Sequence, residues 1–521
     1  MKKTIIQLLL ILLTIKFYGQ NVVSSKLYVK DLKLADLAFE SEDYLNAINL
    51  YRKVLTIDSN NEKSHLNSVI SRIKLNQVTD SCISHLTKLK SSKTPEVQFY
   101  FGRVYHLTSN FEEAIKCYSN YKNIDAKKRS FTDQEVEYYI GCSTNAINLI
   151  SQPHRSIIKN LGDSINTKYA EYVPLISPDE NMLYFTSRRE GSTGNLKDLY
   201  GNYYEDVYIS QKNKNNTWCS PKNIGSPINT NTHDACVAMS NDGNQMIIYR
   251  TSKDLQSGDL YLSRMSFNGW TTPLKFGSEV NTPYIETSAC FGSDTNMIYF
   301  SSSKPGGFGG KDLYRIKKLP NGKWSMPMNL GMTINTDKDE DAPFINPDGN
   351  TLYFSSKGHN TMGDYDVFKT VLNIETNTFS LPENLGFPIN TVNNDIYFVI
   401  NASGTHGYYS SIKEETFGGS DIYRVDTRFG DNDLKVKTGK VIFDNAVNKA
   451  KITLIDAESN QVSGIFNANS KTGKFILVLN PLNAYKAIIE EDGFQTMFLD
   501  IEPIANEKTE SELILILTKK N

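Results

Sequence analysis

An acidic residue followed by an aliphatic and an aromatic one recurs at near-constant spacing through the middle of this chain. The copies are Asp206-Val-Tyr, Asp259-Leu-Tyr, Asp312-Leu-Tyr, Asp366-Val-Phe and Asp421-Ile-Tyr, at intervals of 53, 53, 54 and 55 residues. A second ladder, Asn-Thr after an aliphatic residue, begins at Asn166, Asn229, Asn281, Asn335 and Asn390, at intervals of 63, 52, 54 and 55. An insertion around Gly191 to Tyr204 explains the long first interval. Self-similarity at this period demands an architecture built from one repeated supersecondary unit.

The unit is β. Turn residues precede runs of aromatic and β-branched residues, as in Ser177-Pro-Asp before Met182-Leu-Tyr-Phe-Thr-Ser and Asn346-Pro-Asp-Gly before Thr351-Leu-Tyr-Phe-Ser-Ser, which marks short antiparallel strands. Each unit also brings an aromatic and a proline: Trp218 with Pro221, Trp270 with Pro273, Trp324 with Pro327, Phe379 with Pro382. Four short strands and their turns take up about 50 residues, the size of a propeller blade, so residues 154–428 are expected to form a five-bladed β-propeller. The last unit ends at Asp421-Ile-Tyr-Arg-Val without its outer strand, while His154 to Leu161 supplies a strand without a blade. The N-terminal strand is therefore expected to complete the fifth blade. The section resembles the WD40-like PD40 repeats of TolB-type propellers, named for their Ser-Pro-Asp turns.

Five residues after each ladder asparagine stands an acid: Glu171, Asp234, Glu286, Glu340 and Asp395. The fold would set these five on one rim. Two readings follow: a binding site for a cation or other ligand, in which carboxylates converge as hard oxygen ligands, or turn caps that accept backbone N–H bonds and fix one blade to the next. The second is favoured, because a repeated residue in a repeat fold serves the repeat. No other pattern suggests catalysis. The turns lack the Asp-box pattern of sialidases, and neither a Gly-x-Ser-x-Gly elbow nor an HExxH pair occurs among the residues. Asp337-Lys-Asp-Glu-Asp341 lacks the glycine and closing glutamate of an EF-hand, and Gly306 to Gly310 and Gly418-Gly419 precede strands and are read as turns. The expectation is a non-enzyme without cofactor, metal site or catalytic residues.

Before the propeller, over 28–152, apolar residues fall at helical spacing. Ala35, Ala38, Tyr44, Ala47 and Tyr51 recur as Gly102, Tyr105, Phe111, Ala114 and Tyr118, each 67 residues on. That is twice a period of about 34, with one degenerate unit between, and resembles the tetratricopeptide (TPR) repeat, an α-solenoid. Small residues would let paired helices approach while Tyr51 and Tyr118 fill the space between pairs; the resemblance implies a groove for a peptide or a partner's helix. After the propeller, over 433–521, alternation returns in a new rhythm, and six or seven short strands in so few residues argue for a β-sandwich. Lys440-Val441 after Gly439, Thr472 to Phe475, Tyr485 and Gly493-Phe494 resemble the carboxypeptidase regulatory-like domain. A type IX secretion-sorting domain is the competing reading.

Residues 1–20 read as a signal peptide: Lys2 and Lys3 lead an apolar run from Thr4 to Ile15, and Phe17 to Gln20 is the cleavage zone. The first cysteine is Cys82, and the six cysteines include no CxxC pair, which removes a lipidation site at the signal boundary and zinc-ribbon readings. With 56 basic against 58 acidic residues, there is no polybasic field for nucleic acid. The order of the three sections resembles envelope proteins of gliding and type IX secretion bacteria in the OmpA family, where an OmpA-like peptidoglycan-binding domain normally follows. None follows before Asn521, so direct peptidoglycan binding is not expected. What the resemblance implies is an exported scaffold of the periplasm, associated with the outer membrane or the cell surface and binding envelope or secretion-machinery proteins, with no membrane span of its own. The alternative is an envelope propeller that binds a cation or glycan.

Overall fold

The computed structural model describes residues 28–198, 200–426, 434–442, 450–504 and 512–520; the expected signal peptide lies outside them. Helices come first and β-sheets follow, antiparallel but for the pairing of 435–442 with 513–516, and the chain divides into two compact units, Met1–Asn148 and Leu149–Asn521. Among the described residues no helix is long and apolar enough to cross a membrane.

The first unit contains α1 (28–40), α2 (Tyr44–Ile57), α3 (Glu62–Lys74), α4 (Asp80–Thr87), α5 (Glu96–Leu107), α6 (Phe111–Lys122) and the start of α7 (Asp133–Ser151). Polar caps start two of them: Asp43 accepts the Asn46 N–H at 3.2 Å and Asn61 that of Ser64 at 2.9 Å, filling donors the first turn leaves unpaired. The repeated small and aromatic positions point inward. Ala35, Ala47 and Tyr51 are buried in one cluster, and Ala114, Tyr118, Phe99 and Tyr121 in another. Gly102 shows why the slot must be small, since a Cβ there would lie 2.5 Å from the Tyr118 ring.

The second unit opens with β1 (Ile157–Asn160). Five antiparallel sheets follow in a propeller-like arrangement. Sheet I holds β2 (Glu171–Ile176), β3 (Met182–Ser187), β4 (Asp206–Gln211) and β5 (Lys222–Asn223). Sheet II holds β6 (Asp234–Met239), β7 (Gln245–Thr251), β8 (Gly258–Ser266), β9 (Gly269–Trp270) and β10 (Leu274–Lys275). Sheet III holds β11 (Ala289–Phe291), β12 (Met297–Ser302), β13 (Asp312–Lys317) and β14 (Met328–Asn329). Sheet IV holds β15 (Glu340–Ile345), β16 (Thr351–Ser356), β17 (Asp366–Asn373), β18 (Thr378–Phe379) and β19 (Glu383–Asn384). Sheet V holds β20 (Ile396–Ile400), β21 (His406–Ser411) and β22 (Asp421–Asp426).

The N-terminal strand β1 pairs antiparallel with β22, Ile157 opposite Asp426 and Asn160 opposite Tyr423, and so makes the fourth strand of sheet V. First strands touch in the order β2, β6, β11, β15, β20, and β20 touches β2 again. An apolar layer fills each junction between neighbouring sheets. Cys236, Met246 and Val207 pack between I and II, and Ile247, Leu260, Phe300 and Ile316 between II and III. Leu313 with Phe354, and Val367 with Tyr409, fill the next two. Leu183, Phe185 and Ile422 bring V back to I. The alternation of the strands is what feeds these layers, one face of each sheet meeting the opposite face of the next.

The C-terminal strands form two further sheets. One has the order β26–β23–β29, from β23 (Lys435–Ile442), β26 (Lys474–Leu479) and β29 (Leu513–Ile516); the other is β25–β24–β27–β28, from β24 (Lys451–Asp456), β25 (Val462–Asn467), β27 (Tyr485–Glu490) and β28 (Met497–Ile501). Their inward residues, among them Ile452, Leu454, Phe475, Leu477 and Ile489, share one core that also takes in Ala402 from the β20–β21 turn. Asn467 donates its backbone and side-chain N–H to Asp242 at 3.0 and 2.8 Å. The C-terminal sheets thus belong to the same compact unit as the five repeats.

Candidate functional site

The five repeated acids come first, because the sequence singles them out. Glu171, Asp234, Glu340 and Asp395 are fully buried and Glu286 is 3% exposed. Each accepts the backbone N–H of the threonine that follows the ladder asparagine: Thr167 at 2.7 Å, Thr230 at 2.6 Å, Thr282 at 2.9 Å, Thr336 at 2.8 Å and Thr391 at 2.6 Å. The same threonine hydroxyls donate as well, at 2.6 to 2.8 Å. A further donor arrives from the second strand of the sheet: Ser187, Arg250, Ser302, Ser356 or Ser411, at 2.5 to 2.7 Å. Every such donor lies 16 residues after its acid. Each carboxylate is therefore occupied within its own repeat, and among the described residues no group of three or more His, Cys, Asp or Glu is placed to hold a metal ion.

The asparagine ladder is equally occupied. Asn229 accepts the Val207 N–H at 2.9 Å and donates to the Val207 carbonyl at 2.9 Å, so its side chain pairs with a strand edge as a backbone amide would. Asn281 does the same with Leu260, Asn335 with Leu313 and Asn390 with Val367. Asn166 takes Ile422, in the last sheet, at 2.9 and 3.0 Å. The aspartate beside each clasped residue caps another loop: Asp312 accepts from Phe308 N, Gly309 N and Asn329 Nδ2.

Asn329 reveals a ladder that the sequence reading missed. Asn160, Asn223, Asn329 and Asn384 stand six residues before a ladder asparagine, and each accepts from its Nδ2 at 2.7 or 2.8 Å. The same four donate to the repeat aspartate, at 2.6 to 2.8 Å. In sheet II the position is Lys275, which reaches Asp259 as an ion pair at 2.7 Å. The fixed spacings of 6 and 16 residues were the available signal.

Burial pushes the Glu171, Asp234 and Asp395 carboxyls up, and the cations beside them pull back. Glu171 has Arg189 at 3.3 Å, Asp234 has Arg250 at 2.5 Å and Asp395 has Lys413 at 3.8 Å. At the corresponding place near Glu340 stands His359, whose ring meets the Ile334 carbonyl at 2.9 Å and whose own pKa burial lowers. Glu340, without a cation, is pushed up to about 7, chiefly by burial and against the hydrogen bonds from Thr336 and Ser356. Asp366 is likewise pushed to about 7 by burial.

The first strands enclose a cavity lined by residues of all five sheets, Val173, Cys236, Ala289, Pro343 and Tyr397 among them. Its volume of about 50 Å³ holds a few waters and falls far below the several hundred Å³ of a ligand pocket. Val173, Ala342 and Tyr397 adopt left-handed φ of 51°, 50° and 62°, a conformation that costs most for a β-branched residue. Where these strands begin, polar groups gather. Tyr172 donates to Glu205 at 2.5 Å and His233 Nδ1 lies 3.0 Å from the other Glu205 oxygen. Burial raises the Glu205 carboxyl, but His233 and Tyr172 hold it below its ordinary value. Asp341 accepts from Ser288, from Lys311 Nζ at 2.7 Å and from the Ala342 N–H at 2.8 Å. Both carboxylates are thus engaged.

No protein-family model and no curated protein matches the chain. Among solved structures, an α-L-arabinofuranosidase from Lactobacillus brevis aligns at 12% identity over 51% of this chain and 92% of its own, with a TM-score of 0.30. An endo-arabinase from Bacteroides thetaiotaomicron aligns at 15% over 51% of this chain and 98% of its own, TM-score 0.32. A glycosyl hydrolase from Bacteroides ovatus aligns at 9% over 50% and 84%, TM-score 0.32. At such identities and scores the likeness says nothing of what this chain binds.

Proposed function

We propose that the chain is a non-enzymatic scaffold of the cell envelope: a TPR-like solenoid, a five-bladed PD40-type propeller and a regulatory-like β-sandwich, exported and bound to envelope or secretion-machinery proteins. The observation that carries this reading is that the repeat chemistry is turned inward. All five repeated acids and all five ladder asparagines are engaged within the repeats, which supports a rigid support more than a centre of reaction. What faces outward fits protein contact: Met326, Met328 and Met332 around the outer strand of sheet III are 83, 48 and 76% exposed, and methionine suits adaptable contact surfaces. The test is in-cell crosslinking and recovery of the tagged full chain from envelope fractions. One stoichiometric envelope partner is expected; recovery of nothing above background would sink the scaffold.

A second reading has one observation in its favour. Glu205, just before β4, meets Tyr172 and His233 beside the cavity, a polar mouth that a cation or glycan could use. A rise in melting temperature with calcium or sugar, in the absence of any protein partner, would favour it over the scaffold.

A further inference from the structure

The helical unit contains a cavity of about 240 Å³ among α2, α3 and α4, lined by Ile48, Arg52, Leu55, Ser68, Arg72 and His85 among others. Two guanidinium groups and an imidazole border it, and no lining residue is acidic. Arg72 Nε is buried without a hydrogen-bond partner among the described residues. A buried donor left unpaired costs about 1–3 kcal/mol, and more when charged, so this guanidinium is short of an acceptor. The ion pairs found in this unit lie elsewhere: Lys63 with Asp36, Lys116 with Glu113, Lys122 with Glu137 and Arg129 with Asp133. Arg52 engages one N–H with Asn49 at 3.2 Å.

The histidines beside the cavity sharpen the picture. His65 Nδ1 and His85 Nδ1 are 2.7 Å apart, and His65 Nε2 lies 2.9 Å from the Ser59 carbonyl. A carbonyl can only accept, so His65 carries its proton on Nε2 and His85 donates from Nδ1. His85 is held down to about 4, by burial first and then by His65, Arg72 and Lys88. Arg72 and Lys88 make the surroundings electropositive, whereas Ile48 and Leu55 give an apolar wall.

We infer that this cavity receives the carboxylate of an aspartate or glutamate presented by a partner polypeptide. Arg72 and Arg52 take the carboxylate, a pairing in which the planar guanidinium matches two oxygens at once, and Ile48 and Leu55 cover the methylene stem. Charge complementarity selects this occupant: a basic side chain is repelled and offers no acceptor, and a neutral amide accepts one hydrogen bond without the opposite charge that a carboxylate brings. The inference rests on the scaffold reading and names the chemistry of the partner.

Calorimetric titration of the full chain tests it, with three probes: the blocked tripeptide acetyl-Ala-Glu-Ala-amide, its Gln counterpart and inorganic phosphate. The Glu peptide is expected to bind at least tenfold more tightly than the Gln peptide, and Arg72→Gln to weaken it at least tenfold while the helical circular dichroism melts no earlier. Arg52→Gln, at an exposed position, is expected to weaken it too and serves if the first variant misfolds. Equal affinity for the two peptides, an unchanged affinity in both variants, or binding of phosphate alone would overturn the inference. A partner recovered from cells equally well by wild type and both variants would overturn it while leaving the scaffold standing. Tight Glu-peptide binding without any cellular partner would do the reverse.

Discussion

Glu180 ties sheet I to sheet V, and its removal should be felt at neutral pH and progressively less in acid. It lies in the Ser177-Pro-Asp turn of sheet I with φ 59° and reaches across to sheet V. His406 Nδ1 is 2.8 Å away, Lys212 Nζ donates at 2.9 Å, Asn401 Nδ2 at 3.2 Å, and the Tyr408 hydroxyl donates as well. Burial pushes the carboxyl up, but the bonds from His406, Tyr408 and Lys212 more than offset this and bring it from 4.5 to about 2. At about 1.36 kcal/mol per pKa unit the depression is worth about 3 kcal/mol, and the side chain is only 12% exposed, so solvent screens little of it. An acid with a depressed folded pKa lends its stability above the unfolded value of 4.5 and loses it as pH falls through the folded value near 2. Glu180→Gln should therefore destabilise by about 3 kcal/mol at pH 7, about half that at pH 3 and under about 0.5 kcal/mol at pH 2. Tryptophan fluorescence in urea is the assay: the three tryptophans, Trp218, Trp270 and Trp324, all lie in the repeats, and Trp218 itself packs on Tyr408 with ring centroids 6.5 Å apart. An equal deficit at pH 3 and pH 7, or none at pH 7, would refute the reasoning.

Glu340 should behave with the opposite sign. Its folded pKa near 7 lies above the ordinary 4.5, so the stability it lends is full below pH 4.5 and is lost as pH rises through 7, by about 3 kcal/mol in all; Glu340→Gln should flatten that slope in urea titrations between pH 5 and 8. Asn390→Ala strands the Val367 N–H in a buried place while the Val367 carbonyl keeps the Leu385 N–H, and a loss of about 1–3 kcal/mol is expected by chemical denaturation. Gly418→Ala puts a Cβ 2.1 Å from the Lys168 carbonyl oxygen at the junction of sheets V and I; overpacking of about 1–3 kcal/mol should appear as a lower melting temperature, whereas Gly141→Ala, with nothing within 4 Å of its Cβ, should be neutral or better.

Local chemistry made much of this legible in advance. An acid four residues after a threonine, with an asparagine just before it, is a short-range device, so Thr336 and Glu340 advertise their turn in any copy of the repeat. The helical slots were readable for the same reason, since Ala47 and Tyr51 or Ala114 and Tyr118 sit one turn apart on one buried face. The strand at Ile157–Asn160 was readable too, but only because the last repeat lacked one, and its pairing with Asp421–Asp426 joins residues far apart in the chain.

By itself the sequence determined the repeat, its period, the class of each section and the residues that carry the turns. Only the tertiary structure decided which way the repeated carboxylates face, and it faces them into their own turns. Only there does Glu340 differ from Glu171, because a cation beside one and a histidine beside the other are meaningful only once the sheets are packed. Only there, too, do Arg52, Arg72 and His85 from three helices border one cavity. The physical reason is reach. Backbone and turn preferences act over a few residues and leave their mark in spacing, whereas the protonation of a buried acid and the surroundings of the buried Arg72 Nε depend on which distant groups the fold brings within a few ångströms.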